Sequence, residues 1–144
     1  MKKQDYNATI SVNATPKETY GKIAMVGDWW AKNFTGKALN ENDTFKVRFG
    51  ETFVDFKITE AIPGKKIVWY VTDCNLDWIS DKKEWKDTKV VWEISAENNA
   101  TQIKMTHVGL TPEVECYNDC ELGWNGHVKG SLVKFLTENK GQPQ

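Results

Sequence analysis

Residues Val114 to Lys140 constrain the fold more than any other stretch, because they read as one long amphipathic helix. Stepping 100° per residue from Trp124 puts Tyr117, Val128, Leu132 and Phe135 on the same face. That is the i, i+3, i+4, i+7 spacing of a helix that buries one stripe. A helix of this length crosses a small domain and needs an apolar surface to lie against. The chain supplies one, since almost everything between Thr44 and the helix alternates with period two.

Phe45, Val47 and Phe49 alternate with Lys46 and Arg48, and Val54, Phe56 and Ile58 with Asp55, Lys57 and Thr59. Ile67, Trp69 and Val71 share one face of Lys66–Thr72. Val90, Trp92 and Ile94 alternate with Val91, Glu93 and Ser95, and Ile103, Met105 and His107 form the inner side of the last strand. These are strand patterns, and Pro63-Gly64 and Asn98-Asn99 are turn pairs between them. Short turns between successive strands imply an antiparallel meander.

Ahead of the meander, residues 5–13 alternate around Tyr6, Ala8, Ile10 and Val12 as a first strand. Thr15-Pro16 with Glu18 then starts a helix, Thr15 as N-cap, Pro16 at N1 and Glu18 at N3. It runs to about Val26. Gly27-Asp28 ends it, and Asp28 caps a short second turn carrying Trp29 and Trp30. Asn33–Asp43 reads as a polar loop with a turn at Gly36, and Gly141–Gln144 as a loose tail. The expected class is α+β, one domain over residues 1–144. A curved antiparallel sheet of about six strands wraps around a long C-terminal α-helix, with two short helices after the first strand.

Charge and patterning exclude several functions. The net charge is −1 with both signs interspersed, so there is no basic stripe for nucleic acid and no polybasic segment for anionic lipid. No run approaches the ~20 apolar residues of a membrane span. Met1-Lys2-Lys3 is followed by polar residues, not by the apolar segment of a secretory leader. Cys74, Cys116 and Cys120 are too few for a disulfide framework and fit a reducing cytoplasm. Cys116 and Cys120, with His127 two turns on, lack a fourth metal ligand and read as small buried hydrophobes. There is no phosphate-cradling loop, nucleophile elbow or HExxH. Neither metal nor cofactor is expected.

The chain has seven tryptophans, residues that fill cores but also wall apolar pockets. The inward-facing set is Phe49, Phe56, Trp69, Trp92, Met105, Trp124 and Val128, with Trp30 and Phe34 from the second helix and the loop after it. One by one these are core residues. Together, large flat rings on both walls of a curved sheet favour a partly hollow interior. His107, Cys120, Glu121 and His127 flank the same surface and are candidates for orienting a ligand or for acid–base work on it. Gly123, Gly126 and Gly130 interrupt the helix, either because a neighbour packs closely there or because the helix flexes. The Asp73–Asp87 loop mixes acidic and basic residues without calcium-loop spacing and reads as solvated. Its Trp78 and Trp85 are a lid or a partner contact.

Several short motifs in this order resemble the START-like, or SRPBCC, superfamily. They are Pro63-Gly64-Lys65-Lys66-Ile67, the run Thr101-x-Ile103-x-Met105-Thr106-His107-x-Gly109-Leu110, and Cys116-Tyr117, Gly123-Trp124, Ser131-Leu132 and Gly141-x-Pro143. The branch most similar is that of the activator-of-Hsp90-ATPase (AHSA1) homologues. The resemblance implies the helix-grip fold and a cavity for lipids or other apolar molecules, with cyclases as a minority activity. The leading expectation is a cytoplasmic binding protein, monomer or homodimer, holding a hydrophobic small molecule between sheet and helix. An enzyme acting in the same cavity needs at least two of His107, Glu121 and His127 to converge. A chaperone-related interaction module needs an exposed apolar patch near Trp78 and Trp85.

Overall fold

The alternating segments pair into one antiparallel sheet of seven strands in the order β1-β7-β6-β5-β4-β3-β2. In this computed structural model, residues 4–144 are described; Met1-Lys2-Lys3, which carry the reading against a secretory leader, lie outside them. The strands are β1 (Tyr6–Val12), β2 (Asn33–Gly36), β3 (Thr44–Phe49), β4 (Thr52–Ile62), β5 (Lys66–Asn75), β6 (Lys89–Glu97) and β7 (Ala100–Val108). Helices α1 (Pro16–Ile23) and α2 (Val26–Trp29) follow β1. The long C-terminal helix has three parts: α3 (Tyr117–Trp124), a π-helical segment (Asn125–Leu132) and α4 (Val133–Glu138). This is the helix-grip arrangement. Register shifts in β4 at Asp55/Phe56 and Ile58/Glu60 bend the sheet toward the helix, as bulges do.

The N-terminal half follows its local chemistry. The Thr15 side chain accepts a hydrogen bond from the Glu18 backbone N–H at 3.0 Å, so α1 starts where the capping residues place it. The seventh strand was hidden in the segment expected to be a polar loop. Asn33–Gly36 has no apolar period and exists through pairing with β3, from Asn33↔Arg48 to Gly36↔Phe45. Gly36 has φ 107°, and a Cβ there would collide with the Thr44 carbonyl oxygen.

The helix buries the stripe the wheel assigns to it, with Trp124, Val128, Leu132 and Phe135 all buried. It begins at Tyr117, three residues later than the periodicity implies, and its middle widens into π turns. Close packing is not the reason for the three glycines, since a Cβ at Gly123, Gly126 or Gly130 would have no neighbour within 4 Å. Gly126 and Gly130 lie inside the π segment, where the absence of side chains eases the wider winding.

Three other expectations are corrected. Cys116 and Cys120 form a disulfide, with Cα atoms 5.7 Å apart; four residues apart, at the start of a helix, their side chains share a face. The tail is pinned. Ser131 Oγ accepts from the Gln142 N–H at 2.7 Å and donates to the Trp29 carbonyl at 2.6 Å, and the Gln144 N–H donates to the Trp30 carbonyl at 2.9 Å. Gly141 lies so close to the Asp28 carbonyl that no Cβ fits.

The β5–β6 loop is latched rather than merely solvated. The Glu84 carboxylate accepts from the N–H groups of Glu115 and Cys116, both at 2.8 Å. The Glu115 carboxylate accepts in return from Ser80 and Asp81, at 3.0 and 3.2 Å. These bonds, to the Ser80 N–H first, hold the Glu115 carboxyl below its ordinary pKa.

Two expected outcomes follow from these local balances. Gly126→Ala and Gly130→Ala should each raise unfolding free energy by about 0.5–1 kcal/mol in urea titrations, because each removes backbone entropy from the unfolded chain without a clash. Glu84→Ala should lower it by about 1–2 kcal/mol and speed amide hydrogen exchange at Glu115 and Cys116 first.

Candidate functional site: an aromatic pocket beside the C-terminal helix

The bent sheet and the helix enclose a cavity of about 220 Å³ where the ends of β3 and β4, the β5–β6 loop and α3 meet. Its walls are Trp30, Phe49, Val54, Leu76, Trp78, Trp85, Cys120, Gly123 and Trp124, with Thr52, Asp119, His127 and Gln144 at its polar points. The volume equals roughly seven water molecules' share of liquid. It is below the ~300 Å³ at which ordinary small-molecule pockets begin.

Each wall has an identifiable cause. Trp124 faces inward because it sits on the buried stripe, and its ring lies 4.9 Å from that of Trp30 and stacks on Trp85 at 5.8 Å and 7°. Trp85 is held by its indole N–H, which donates to Cys116 Sγ at 3.3 Å. Trp78 is 49% exposed, yet its N–H donates to Asp119 Oδ2 at 3.1 Å. Both loop tryptophans therefore border the cavity, tied to α3 at its mouth.

Of the residues expected to touch a ligand, Trp30, Phe49, Cys120, Trp124 and His127 line this cavity. Phe56, Trp69, Trp92, Met105 and Val128 do not. They are fully buried in solid core, because their rings and chains interlock. Trp69 alone touches Trp29, Trp30, Phe45, Phe56 and Trp92. Phe34 packs half-buried against Phe45 at 5.7 Å, away from the cavity. Phe34 instead borders a separate, open pocket with Met25, Ala38 and Leu39.

His107 is not a free polar handle. Trp124 Nε1–H donates to its Nδ1 at 3.1 Å, its Nε2 lies 2.9 Å from Thr88 Oγ1, and Thr88 donates its own hydrogen to the Trp85 carbonyl at 2.6 Å. These directions assign the neutral Nε2–H tautomer and fill both ring nitrogens. Burial pushes its pKa down to about 3.

Glu121 accepts from the Tyr117 hydroxyl at 3.3 Å and lies outside the cavity walls. It belongs with Tyr6, whose hydroxyl donates to Asn125 Oδ1 at 2.6 Å. Burial first, then the charges of Glu121 and Tyr117, raises the Tyr6 pKa to about 12. His127 is different. It is half-buried beside the Trp30 ring (6.2 Å), forms no hydrogen bond among the described residues, and burial lowers its pKa.

The three candidate acid–base groups therefore do not converge. Among the described residues, no group of three His, Cys, Asp or Glu side chains could hold a metal ion, and no helix is long and apolar enough to cross a membrane.

Sequence reasoning missed Thr52, Val54, Leu76, Asp119, Gly123 and Gln144 as wall residues. Asp119 and Gly123 were legible in principle, being one turn apart on the flank that carries Cys120 and His127. Gln144 carried no signal, since its place depends on the pinned tail.

No family profile and no curated protein matches the chain. Solved structures do. The Aha1 dimer from Colwellia psychrerythraea superimposes with a TM-score of 0.76 at 23% identity, covering 98% of this chain and 100% of that one. DynU16, from the dynemicin biosynthetic locus, gives 0.68 at 16% identity over 94% of this chain and 48% of its own. CalU16 from Micromonospora echinospora gives 0.62 at 14% identity over 85% and 70%. The chain spans about half of DynU16. These likenesses establish the START-like, helix-grip fold.

The buried imidazole has a pH signature. Its folded pKa lies near 3 against an ordinary 6.5, so the unfolded chain takes up the proton first as pH falls. Stability contributed by neutral His107 is full above about 6.5 and is lost progressively toward 3, at up to about 1.4 kcal/mol per pH unit. His107→Gln should be less stable at pH 7 by about 2–3 kcal/mol and show a shallower decline across that window in denaturant titrations.

Proposed function

We propose that this protein binds an apolar or amphipathic small molecule between the sheet and the C-terminal helix. The carrying observation is the cavity itself: indole and phenyl rings from four separate segments, with one unpartnered imidazole, His127, on its wall. A folded chain gains nothing from leaving such a surface unfilled, because voids forfeit the dispersion contacts that packed cores collect. Concave, mostly apolar pockets with few polar groups are the usual form of small-molecule sites. His127 is placed to donate to or accept from a ligand's polar atom, and Trp78 and Trp85 close the mouth through their bonds to α3. The likeness to DynU16 and CalU16 supports the reading at the level of fold. Catalysis by His107, Glu121 and His127 is not favoured by their positions.

Native mass spectrometry and organic extraction of the purified protein test this reading. A bound apolar molecule should be recovered from the wild type. Val54→Trp should fill the cavity and reduce recovery at least tenfold while the protein stays folded. Equal recovery from both proteins, or none from the wild type after incubation with a panel of apolar compounds, would overturn the proposal.

A further inference from the structure

Six of the seven tryptophans can be sorted by what their indole N–H does. Trp29 donates to the Ile23 carbonyl at 3.1 Å, Trp78 to Asp119, Trp85 to Cys116 and Trp124 to His107. Trp69 and Trp92 are fully buried and their N–H groups have no hydrogen-bond partner among the described residues. Buried donors are almost always satisfied, and an orphan forfeits the hydration it had when unfolded. Two orphans in neighbouring rings, 5.2 Å apart between centroids, call for an account.

The account lies one ring behind the cavity. Trp30 forms part of the cavity wall, and its other face stacks on Trp69 at 6.0 Å and 7°. Trp30 follows the four-residue helix α2 as its C-cap, and its carbonyl accepts from Gln144, which borders the same cavity. Displacing this ring would vacate the volume it now fills against Trp69, extend the 220 Å³ cavity inward to that ring and its neighbour Trp92, and bring its volume toward that of ordinary ligand pockets.

We propose that Trp69 and Trp92 are the donor end of an inner subsite, closed by the Trp30 ring, that takes the neutral carbonyl oxygen of a flat apolar ligand. The argument rests on the binding reading above and specifies its ligand. Aromatic walls select a flat skeleton. Two unpartnered donors select an acceptor. The acceptor is neutral because, among the described residues, no lysine or arginine side chain is buried, and a carboxylate placed there would be an unpaired buried charge.

The matched probes are 1-indanone and indane, which share a bicyclic skeleton and differ in the carbonyl. Both are titrated into ¹⁵N-labelled full-length protein while the indole N–H signals are followed. 1-Indanone should bind about five- to tenfold more tightly, the worth of one net hydrogen bond, and should move the Trp69 or Trp92 N–H signal downfield. Trp69→Phe should abolish the preference for 1-indanone over indane. If that variant does not fold, Trp69→benzothienylalanine, which keeps the shape and lacks the N–H, serves instead. Equal affinity for both probes, with shifts confined to Phe49, Val54 and Trp124, overturns the inner subsite and leaves the outer pocket standing. So do ring-shielded, unmoved Trp69 and Trp92 signals, which would mean that each N–H is spent on a neighbouring π face. Binding of neither probe overturns the inner subsite as well, while the binding reading itself stands or falls on the extraction and the compound panel.

Discussion

The site depends on one relay of hydrogen bonds, from Trp124 through His107 and Thr88 to the backbone of Trp85. It links the helix, the last strand and the β5–β6 loop, which local sequence does not hold together. Each member both fills and is filled, so a fully buried imidazole is tolerated where a half-satisfied one would be costly. The relay also fixes the angles of the two indoles that wall the pocket from above. Those rings stack nearly parallel, and His107 meets Trp85 edge-on at 4.5 Å. The polar group in the core is therefore structural, and its consequence for function is the orientation of its aromatic neighbours.

A second constraint holds the opposite wall. Trp29 and Trp30 follow each other at the end of α2, and the chain separates their tasks. Trp29 goes into the core and donates to Ile23; Trp30 goes to the cavity. The tail makes this division firm, since Ser131 and Gln144 donate to the carbonyls of Trp29 and Trp30, and the Gln142 N–H holds Ser131 Oγ in place. The last residues of the chain thus position a ring that begins more than a hundred positions earlier.

The fold was legible wherever the pattern is set by burial. The period-two runs around Trp69, Trp92 and Met105 and the helical stripe from Trp124 to Phe135 each report one buried face, and the sheet and helix follow from them. β2 was not legible, because Asn33–Gly36 is an exposed edge strand defined by partners across the ladder. The disulfide was hidden by the odd count of cysteines, which hints at framework size but not at one local pair. For the site, the sequence named Trp30, Phe49, Cys120, Trp124 and His127 but also the interlocked rings beneath them. Alternation tells which way a side chain points. It does not tell whether the space in front of it is filled.

That distinction explains where the cavity lies. Along most of the helix, Val128, Leu132, Phe135 and Leu136 are buried within the one core cluster. At α3 the facing residues change: Cys120 and Gly123 are small, and the cavity opens in front of them. The π segment begins at Asn125, directly after α3, so the winding changes where the helix passes from pocket wall to core stripe. A Cβ at Gly126 or Gly130 would meet nothing within 4 Å, so no neighbour's close approach imposes the change of winding. Pocket wall and core stripe are thereby assigned to different turns of one helix, and the hollow sits at the α3 end.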